Sequence, residues 1–549
     1  MAEILVSPGI AISETDQSSV VVRPFVAGAA LIGPTVKGKV QIPTVITSYS
    51  QYQQEFGTTF VDNGVQREFL TSMAAKYWFE SNPNQSLIVV RVASPSAFTS
   101  ATSSIVSGGL DLETLSVGAA LNNGSGSGVT SYVSGSGSKD NVYIEIANVD
   151  SDEKTFSLLV HRGDDSVKEP IILESFNNLS LDPESLNYIS NVIGDQKEVL
   201  ASGSVEFSGS YVNHSAYIRV KSVSGSTLPV TGSYGFVGAT GVVGACYSGS
   251  TEVTGSTADY FDAITPSSEY PQSVAVADYQ TAIDILENTD EYQFNIVSAP
   301  GLLAATQVAN LVSLAESRGD AIAVVDLVAC NSSVSAAAEA AVSINSSYAA
   351  TYFPWLQMYS ATGKLEWVPA SVVVPGMYSA NDAAAAPWYV PAGMNRGAVN
   401  AVQARKKLVK ADRDALYKKN VNPIAVLPPV GLVAYGQKTL QKKASALDRV
   451  NVRRLLIELK KQIKEMASGL LFEQNTAALQ NSFKAQVEAY LADVVRRNGL
   501  YAYTVDMSAN TPEAIDRNEF HCAIVLQPAK AIEYIYLSFT ITSTGVDFE

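Results

Sequence analysis

The sequence predicts an α+β protein of several domains. A middle α/β domain is made of residues 21–95 and 271–370, and an all-β insertion at 96–270 interrupts it. An α/β C-terminal domain follows at 371–532, and short arms lie at 1–20 and 533–549. Three observations carry this. A chain of 549 residues is too long for one hydrophobic core. Apolar strand-like runs alternate with helical periods on both sides of a Ser- and Gly-rich stretch that holds only short alternating runs. And the last residues, AIEYIYLSFTITSTGVDFE, set Ile535, Leu537, Phe539 and Ile541 at period two, a strand pattern where order usually fades.

In chain order, EILVSPGIAISE is an arm whose Ile4, Val6, Ile10 and Ile12 contribute little to a core, a second candidate strand in search of a sheet. PFVAGAALIG and PTVITSYS are strand-like. SYSQYQQEFG opens on Ser capping signals and closes on Gly57, the marks of a short helix. GVQREFLTSMAAKYWFE sets Val65, Phe69, Met73 and Tyr77 on one helical face, and SLIVVRVAS is a buried-type strand. In the insertion, NVYIEIANV, TFSLLVHRG and SAYIRVKSV are separated by turn residues, which points to a sandwich or small barrel. After it come the strand EYQFNIVSAPG, the helix AATQVANLVSLAESRG and the strand DAIAVVDLVA.

In the C-terminal domain, GAVNAVQARKKLVKADRDALYKKN is a basic helical segment and NPIAVLPPVGLVAYG carries short strands. DRVNVRRLLIELKKQIKEMASGLLFE is an amphipathic helix with Val452, Leu455, Leu459, Ile463, Met466 and Leu470 at helical spacing. SFKAQVEAYLADVVRRNGL is another, stopped by Asn498-Gly499, and YAYTVDM and FHCAIVLQP are strands.

Composition narrows the function. Hydrophobic residues make up 46% and charged residues 16%, a low-charge surface that favours contact with other protein surfaces. The net charge of −16 argues against a general nucleic-acid coat. Cys246, Cys330 and Cys522 lie far apart, form no disulfide framework and suit a reducing compartment. MAEILVSPGI lacks the features of a signal peptide, and no apolar run has the length of a membrane span. A protein made and kept in a cytosol is expected.

Candidate chemistry is sparse. GPTVKGKV, residues 33–40, fits GxxxxGK but has Val40 where a phosphate loop needs Ser or Thr, and Pro34 removes an N–H. A loop after a strand is the better reading. His161, His214 and His521 lie beyond helical reach of one another, and no HExxH, Cys/His cluster or GxSxG occurs. His521 and Cys522 are neighbours in a strand, so they point to opposite faces. Asp152/Glu153 and Asp164/Asp165 are solvated turn residues. No catalytic, metal or cofactor site is expected.

Charge is segregated. From Arg396 to Lys464 there are 17 Lys and Arg against 4 Asp and Glu, a basic patch that favours an oriented contact with something acidic. Nucleic acid would want interleaved aromatics, and only Tyr417 is near. The terminal strand has two fates: it closes its own sheet, or it adds to the edge of a neighbour's. In the second case a heterologous contact repeats into a ring or an open helix.

An ordered set of segments resembles the contractile tail sheath family of phages and related injection machines: SPGIAISETD, AALIGPTVKGKVQIPTVITSYSQYQQEFG, SSYAATYFPWLQM, VPGMYSANDAAAAPWYVPAGMNRGAV, NPIAVLPPVGLVAYGQKTL, VNVRRLLIELKKQI and NTPEAIDRNEFHCAIVLQPAKAIEYIYLSFTIT. The insertion lies outside the resemblance. It implies a structural, non-enzymatic subunit of the virion tail, assembled in the host bacterial cytoplasm. Its arms, around 3–13 and 533–546, would pair with neighbouring subunits, and hexameric layers would stack into a helical sleeve around a tail tube. The sleeve would shorten to drive the tube through the target envelope, using energy stored at assembly. Baseplate and tail terminator proteins are further implied partners; nucleic acid and direct membrane insertion are not. The basic residues Arg405, Lys406, Lys407, Lys410 and Arg413 would face the tube. Two other readings remain: a non-contractile filament or surface-layer subunit, and an enzyme whose insertion is a carbohydrate-binding or hydrolytic module.

Overall fold

The computed structural model describes residues 25–533 and Tyr536, except 27, 63–64, 94–99, 106–108, 118–141, 164, 166–168, 202, 233, 236–258 and 534–535. Both arms therefore lie outside the described residues, apart from 533 and 536.

The apolar runs of the main core assemble one mixed sheet of six strands. In spatial order these are Ala349–Ala350, Ile322–Val324, Ile296–Ser298, Ala29–Gly33, Leu87–Arg91 and Pro43–Ile46. The first five run parallel and the last antiparallel. Ala29–Gly33 lies inside the sheet, with Ile296 opposite Ala29 on one side and Leu87 on the other. Segments from before and after the insertion thus share one sheet. Strands covered on both faces need no polar alternation, and AALI and LIVV have none.

Helices Leu70–Ser81, Tyr279–Ile285, Ala305–Arg318 and Val374–Ala384 pack on this sheet. Tyr49–Phe56 starts at Ser48, whose hydroxyl accepts the Gln51 N–H, and ends at Gly57, with φ of 70°. Val374–Ala384 approaches Leu70–Ser81 so closely that a Cβ on Gly376 would fall 2.5 Å from a ring carbon of Tyr77. The N-terminus of Leu70–Ser81 is satisfied from across the insertion, where Gln272 Oε1 accepts the Leu70 N–H at 2.7 Å.

One helical expectation is corrected here. Val65–Glu68 pairs as a strand with Thr59–Asp62, so Val65 shares no helical face with Met73 and Tyr77, and Phe69 is the N-cap. The helical period is overridden by hairpin pairing and by Glu68, whose carboxylate accepts the Ala361 N–H at 2.6 Å.

The insertion has its own core, with Leu110, Leu112, Ile144, Phe156, Leu158, Val160, Ile218 and Val220 buried together. One sheet orders Ile172–Ser180, Thr155–Arg162, Val142–Asp150 and Tyr234–Gly235; a second orders Ile218–Val223, Leu110–Val117 and Ser100–Ile105. Buried Arg91 ties it to the main sheet by donating to the carbonyls of Gly38, at 2.6 Å, and Val117, at 2.9 Å. Tyr260, Phe261 and Ile264 already pack in the main core, ahead of the boundary expected at 270.

The main core also continues past residue 370 without a break, taking in Val372, Val373, Val374, Tyr378, Leu416, Ile424 and Leu440. A third cluster holds Ala386, Trp388, Phe483, Val487, Leu491, Val494, Leu500 and Val505. Helix Val450–Ser468 serves both: Val450 and Ile457 enter the main core, Leu455 and Leu459 the third. Leu470 lies just past its end, partly buried. The second long helix is Ala477–Arg496, and the left-handed residue beyond it is Asn498, with φ of 60°.

Arg454, near the start of Val450–Ser468, is 3% exposed, hydrogen-bonds Asp382 and lies over the Tyr378 ring at 4.8 Å. Removing one member of a buried ion pair strands the other. Arg454→Ala is expected to cost about 3–5 kcal/mol, and the apolar pair Arg454→Met with Asp382→Leu to recover much of it. Chemical denaturation of the three proteins checks this.

Candidate functional site

The basic segment is built differently from the single helix expected over 397–420. Gln403–Ala404 joins a sheet edge opposite Leu356 and Gln357, and only Lys410–Lys418 is helical. The Val402 N–H donates to Gln357 O and the Arg405 N–H to Trp355 O, each at 2.8 Å, which uses backbone groups a helix would need. The Asp412 carboxylate accepts the Val409 N–H at 3.3 Å and starts the helix there.

Of the five cations proposed to face a tube, two have internal partners. Arg405 Nε donates to Asn331 Oδ1 at 2.9 Å and its guanidinium lies 4.9 Å from the Trp367 ring centre. Arg413 is half-buried over Tyr435. Lys406, Lys407 and Lys410 are exposed. The strand residues Ile4, Val6, Ile10, Ile12, Ile535, Leu537, Phe539 and Ile541 lie outside the described residues, while Tyr536 is exposed.

Downstream, Leu500–Asp506 and Ala523–Pro528 form an antiparallel hairpin that has no third strand among the described residues. One face packs on helix Ala477–Arg496 through Leu500 and Val505, and the Tyr503 hydroxyl donates to Glu488 O at 3.0 Å. The other face exposes Tyr501 at 60% and Val525 at 66%. A two-stranded sheet is marginal by itself and its open edges are templates for added strands.

Just beyond this hairpin the Glu533 carboxylate gathers four bonds. Arg449 Nε donates to Oε1 at 2.6 Å and Arg449 Nη2 to Oε2 at 2.9 Å; Gln437 Nε2 reaches Oε1 at 3.1 Å and the Tyr417 hydroxyl reaches Oε2 at 3.0 Å. Lys438 Nζ sits 4.2 Å from the Tyr417 ring centre and donates to Tyr417 O. Burial opposes ionisation of Glu533, but the Arg449 and Gln437 bonds outweigh it and hold the carboxyl below its usual range. Sequence reasoning missed this cluster because Arg449 and Glu533 lie 84 residues apart; its one local trace was Tyr417 among the cations.

Elsewhere the polar groups are structural. The GPTVKGKV loop runs into the strand Pro43–Ile46 rather than a helix, and its Gly38 carbonyl is taken by Arg91, so it offers no helix N-terminus to a phosphate. His161 stacks on Tyr143 with Asp165 at 2.7 Å from Nδ1 and Glu145 at 3.1 Å from Nε2, so Asp165, expected as a solvated turn residue, is instead buried. Cys522 is half-buried, and burial raises its thiol, away from a reactive thiolate. Asp326, raised to about 6 by burial, accepts bonds from Gly301 and Ser371. Among the described residues no three His, Cys, Asp or Glu side chains are placed to hold a metal, and no helix is long and apolar enough to cross a membrane.

Comparison with known proteins gives these domains their class. Residues 272–440 match the phage tail sheath protein central domain, and residues 442–542 match the phage tail sheath C-terminal domain. Residues 272–542 thus carry the central and C-terminal domains of phage tail sheath proteins, in that order. The two matches meet near residue 441, between helix Lys410–Lys418 and helix Val450–Ser468.

Among curated proteins, the tail sheath protein of Vibrio phage KVP40 is 42% identical over 185 residues, and that of Enterobacteria phage T4 is 39% identical over 186. Each alignment takes in 33% of this chain and 28% of the relative, so the matched region spans little more than a quarter of those proteins. Among solved structures, a sheath tail protein from Listeria innocua superposes with a TM-score of 0.54 at 11% identity, covering 92% of this chain and 96% of that one. A chain of the anti-feeding prophage baseplate in its contracted state gives 0.52 at 12% identity, covering 98% and 99%. At such identities the likeness is one of fold, and the fold is a sheath protein's mixed α/β architecture.

Glu68 offers a test of the buried electrostatics. Burial raises its carboxyl from 4.5 to about 7, against the opposing Ala361 N–H bond. With the folded value above the unfolded one, its contribution to stability is full below pH 4.5 and is lost as pH rises to about 7. Glu68→Gln is expected to remove that loss, roughly 3 kcal/mol, so the drop in melting temperature between pH 5 and pH 8 should shrink in the variant. An unchanged drop would mean that Glu68 does not carry it.

Proposed function

We propose that this chain is the structural subunit of a contractile tail sheath. It polymerises as stacked hexameric layers in a helical sleeve around a tail tube, and the sleeve contracts to drive the tube through a target cell envelope. The observation that carries this reading is the ordered match to both sheath domains over residues 272–440 and 442–542. No bond chemistry is needed; the work comes from a metastable extended state held by a kinetic barrier. The chain is therefore not an enzyme and needs no cofactor. It belongs to the virion tail and is assembled in the host bacterial cytoplasm, with baseplate and terminator proteins at the sleeve's ends.

The terminal hairpin supports strand donation. Its two edges suit the N-terminal arm, with Ile4, Val6, Ile10 and Ile12, and the C-terminal strand of another subunit, with Ile535, Leu537, Phe539 and Ile541. Added strands on both sides would turn a marginal hairpin into a four-stranded sheet shared by several subunits. The domain plan that goes with this places the C-terminal domain toward the tube and the insertion outward. Lys406, Lys407 and Lys410 are then the cations that meet tube carboxylates, each pair worth about 0–1 kcal/mol, weak enough to hold and release.

Electron microscopy of the full chain beside one truncated after Lys530 tests donation. Hollow helical tubes from the full chain and none from the truncated one are expected; equal polymerisation would sink the mechanism. A filament or surface-layer subunit would give one rigid lattice with no shortened form. Reversing the charges of Lys406, Lys407 and Lys410 together is expected to abolish co-assembly with tube protein while leaving the monomer's melting temperature unchanged. Undiminished co-assembly would move the tube contact elsewhere.

A further inference from the structure

The backbone leaves the terminal hairpin at Ala529, whose N–H donates to the Gly499 carbonyl at 3.1 Å. Lys530, Ala531 and Ile532 then run exposed. At Glu533 the chain returns to the protein, and the side chain is only 19% exposed. Its partners do not belong to the hairpin. Arg449 is the N-cap of helix Val450–Ser468 and also pairs with Asp448 at 3.0 Å. Tyr417 lies in the last turn of the basic helix, and Gln437 is 4% exposed.

A pull on the residues after Glu533 has two routes into the protein. Through the backbone alone it would reach the end of Ala523–Pro528 and open the hairpin one pair at a time, starting at Pro528 opposite Leu500. That is the weakest way to load a two-stranded sheet. Through Glu533 it reaches Arg449, hence a helix buried in two cores, and Tyr417 and Gln437, hence the central domain. Charge-assisted bonds of this bidentate kind are the stronger ones available to a carboxylate.

We infer that Glu533 is the anchor that passes tension from the donated strand into the two cores and spares the hairpin. It is a positioning residue: bonded within its own chain, it fixes where the strand leaves. The inference rests on the proposal that residues 533–549 are donated to a neighbour.

The test uses the full chain with Glu533→Ala, Glu533→Gln and the charge-swapped pair Glu533→Arg with Arg449→Glu, beside the truncation after Lys530. Glu533→Ala is expected to raise the concentration needed for polymerisation on the order of tenfold, the loss of one or two charge-assisted bonds. Glu533→Gln should fall between, and the swap should recover assembly to within about threefold. The monomer's melting temperature should stay within about 1 °C of the parent.

Wild-type assembly by Glu533→Ala, with the truncated chain inert, would overturn the anchor and leave strand donation standing. Assembly by the truncated chain would overturn donation, and the anchor with it. A melting temperature lowered by more than about 1 °C would make Glu533 part of the fold instead.

Discussion

Helix Val450–Ser468 has to satisfy two hydrophobic cores at once, and much of the molecule is arranged around that demand. Leu455 and Leu459 point one way, Val450 and Ile457 another. Its start carries Arg449, Arg453 and Arg454, three cations where the helix dipole disfavours positive charge. Each is stabilised from outside the helix: Arg449 by Glu533 and Asp448, Arg453 by the Tyr348 ring at 3.9 Å, Arg454 by Asp382 and Tyr378. Those partners come from Glu533 beyond the terminal hairpin, from the adjoining Asp448, from Tyr348 and from the helix Val374–Ala384. The junction between the two sheath domains is thus a charged one built on an apolar wedge.

The insertion contrasts with this. Its core is separate, and it meets the main body through Arg91 and through Lys39, whose ammonium lies 2.7 Å from Glu198. Such a unit can change without disturbing the main sheet, since its closure cost depends only weakly on its length.

What could be read in the sequence was local. The buried strands AALIG and LIVVR, the Ser48 and Gly57 caps and the two long helices are set by neighbours within a few residues, and they appear where their patterns put them. Three things escaped. Val65 obeys a helical period but lies in a strand, because pairing with Thr59–Asp62 outweighs periodicity. The basic run was continuous in charge yet broken in structure, because residues 403 and 404 complete a distant sheet edge. And the Glu533 cluster joins residues from four separate stretches, with no spacing rule to announce it. The exposed lysines among the five candidate cations were legible; the internal duties of Arg405 and Arg413 were not. The strand residues of the two arms were argued from pattern alone.

The placement of Ala29–Gly33 inside the main sheet has a consequence for biosynthesis. This strand is made early, but its partner Ile296–Ser298 follows only after the whole insertion has been translated. At about 5–20 residues per second, a ribosome leaves that edge waiting for tens of seconds. The insertion, with its own core, can fold in the interval; the sheet around it cannot close. A nascent chain of this design carries an apolar, unpaired edge through nearly half of its synthesis. It is most exposed to mispairing with other copies at the moment when many copies are being made side by side.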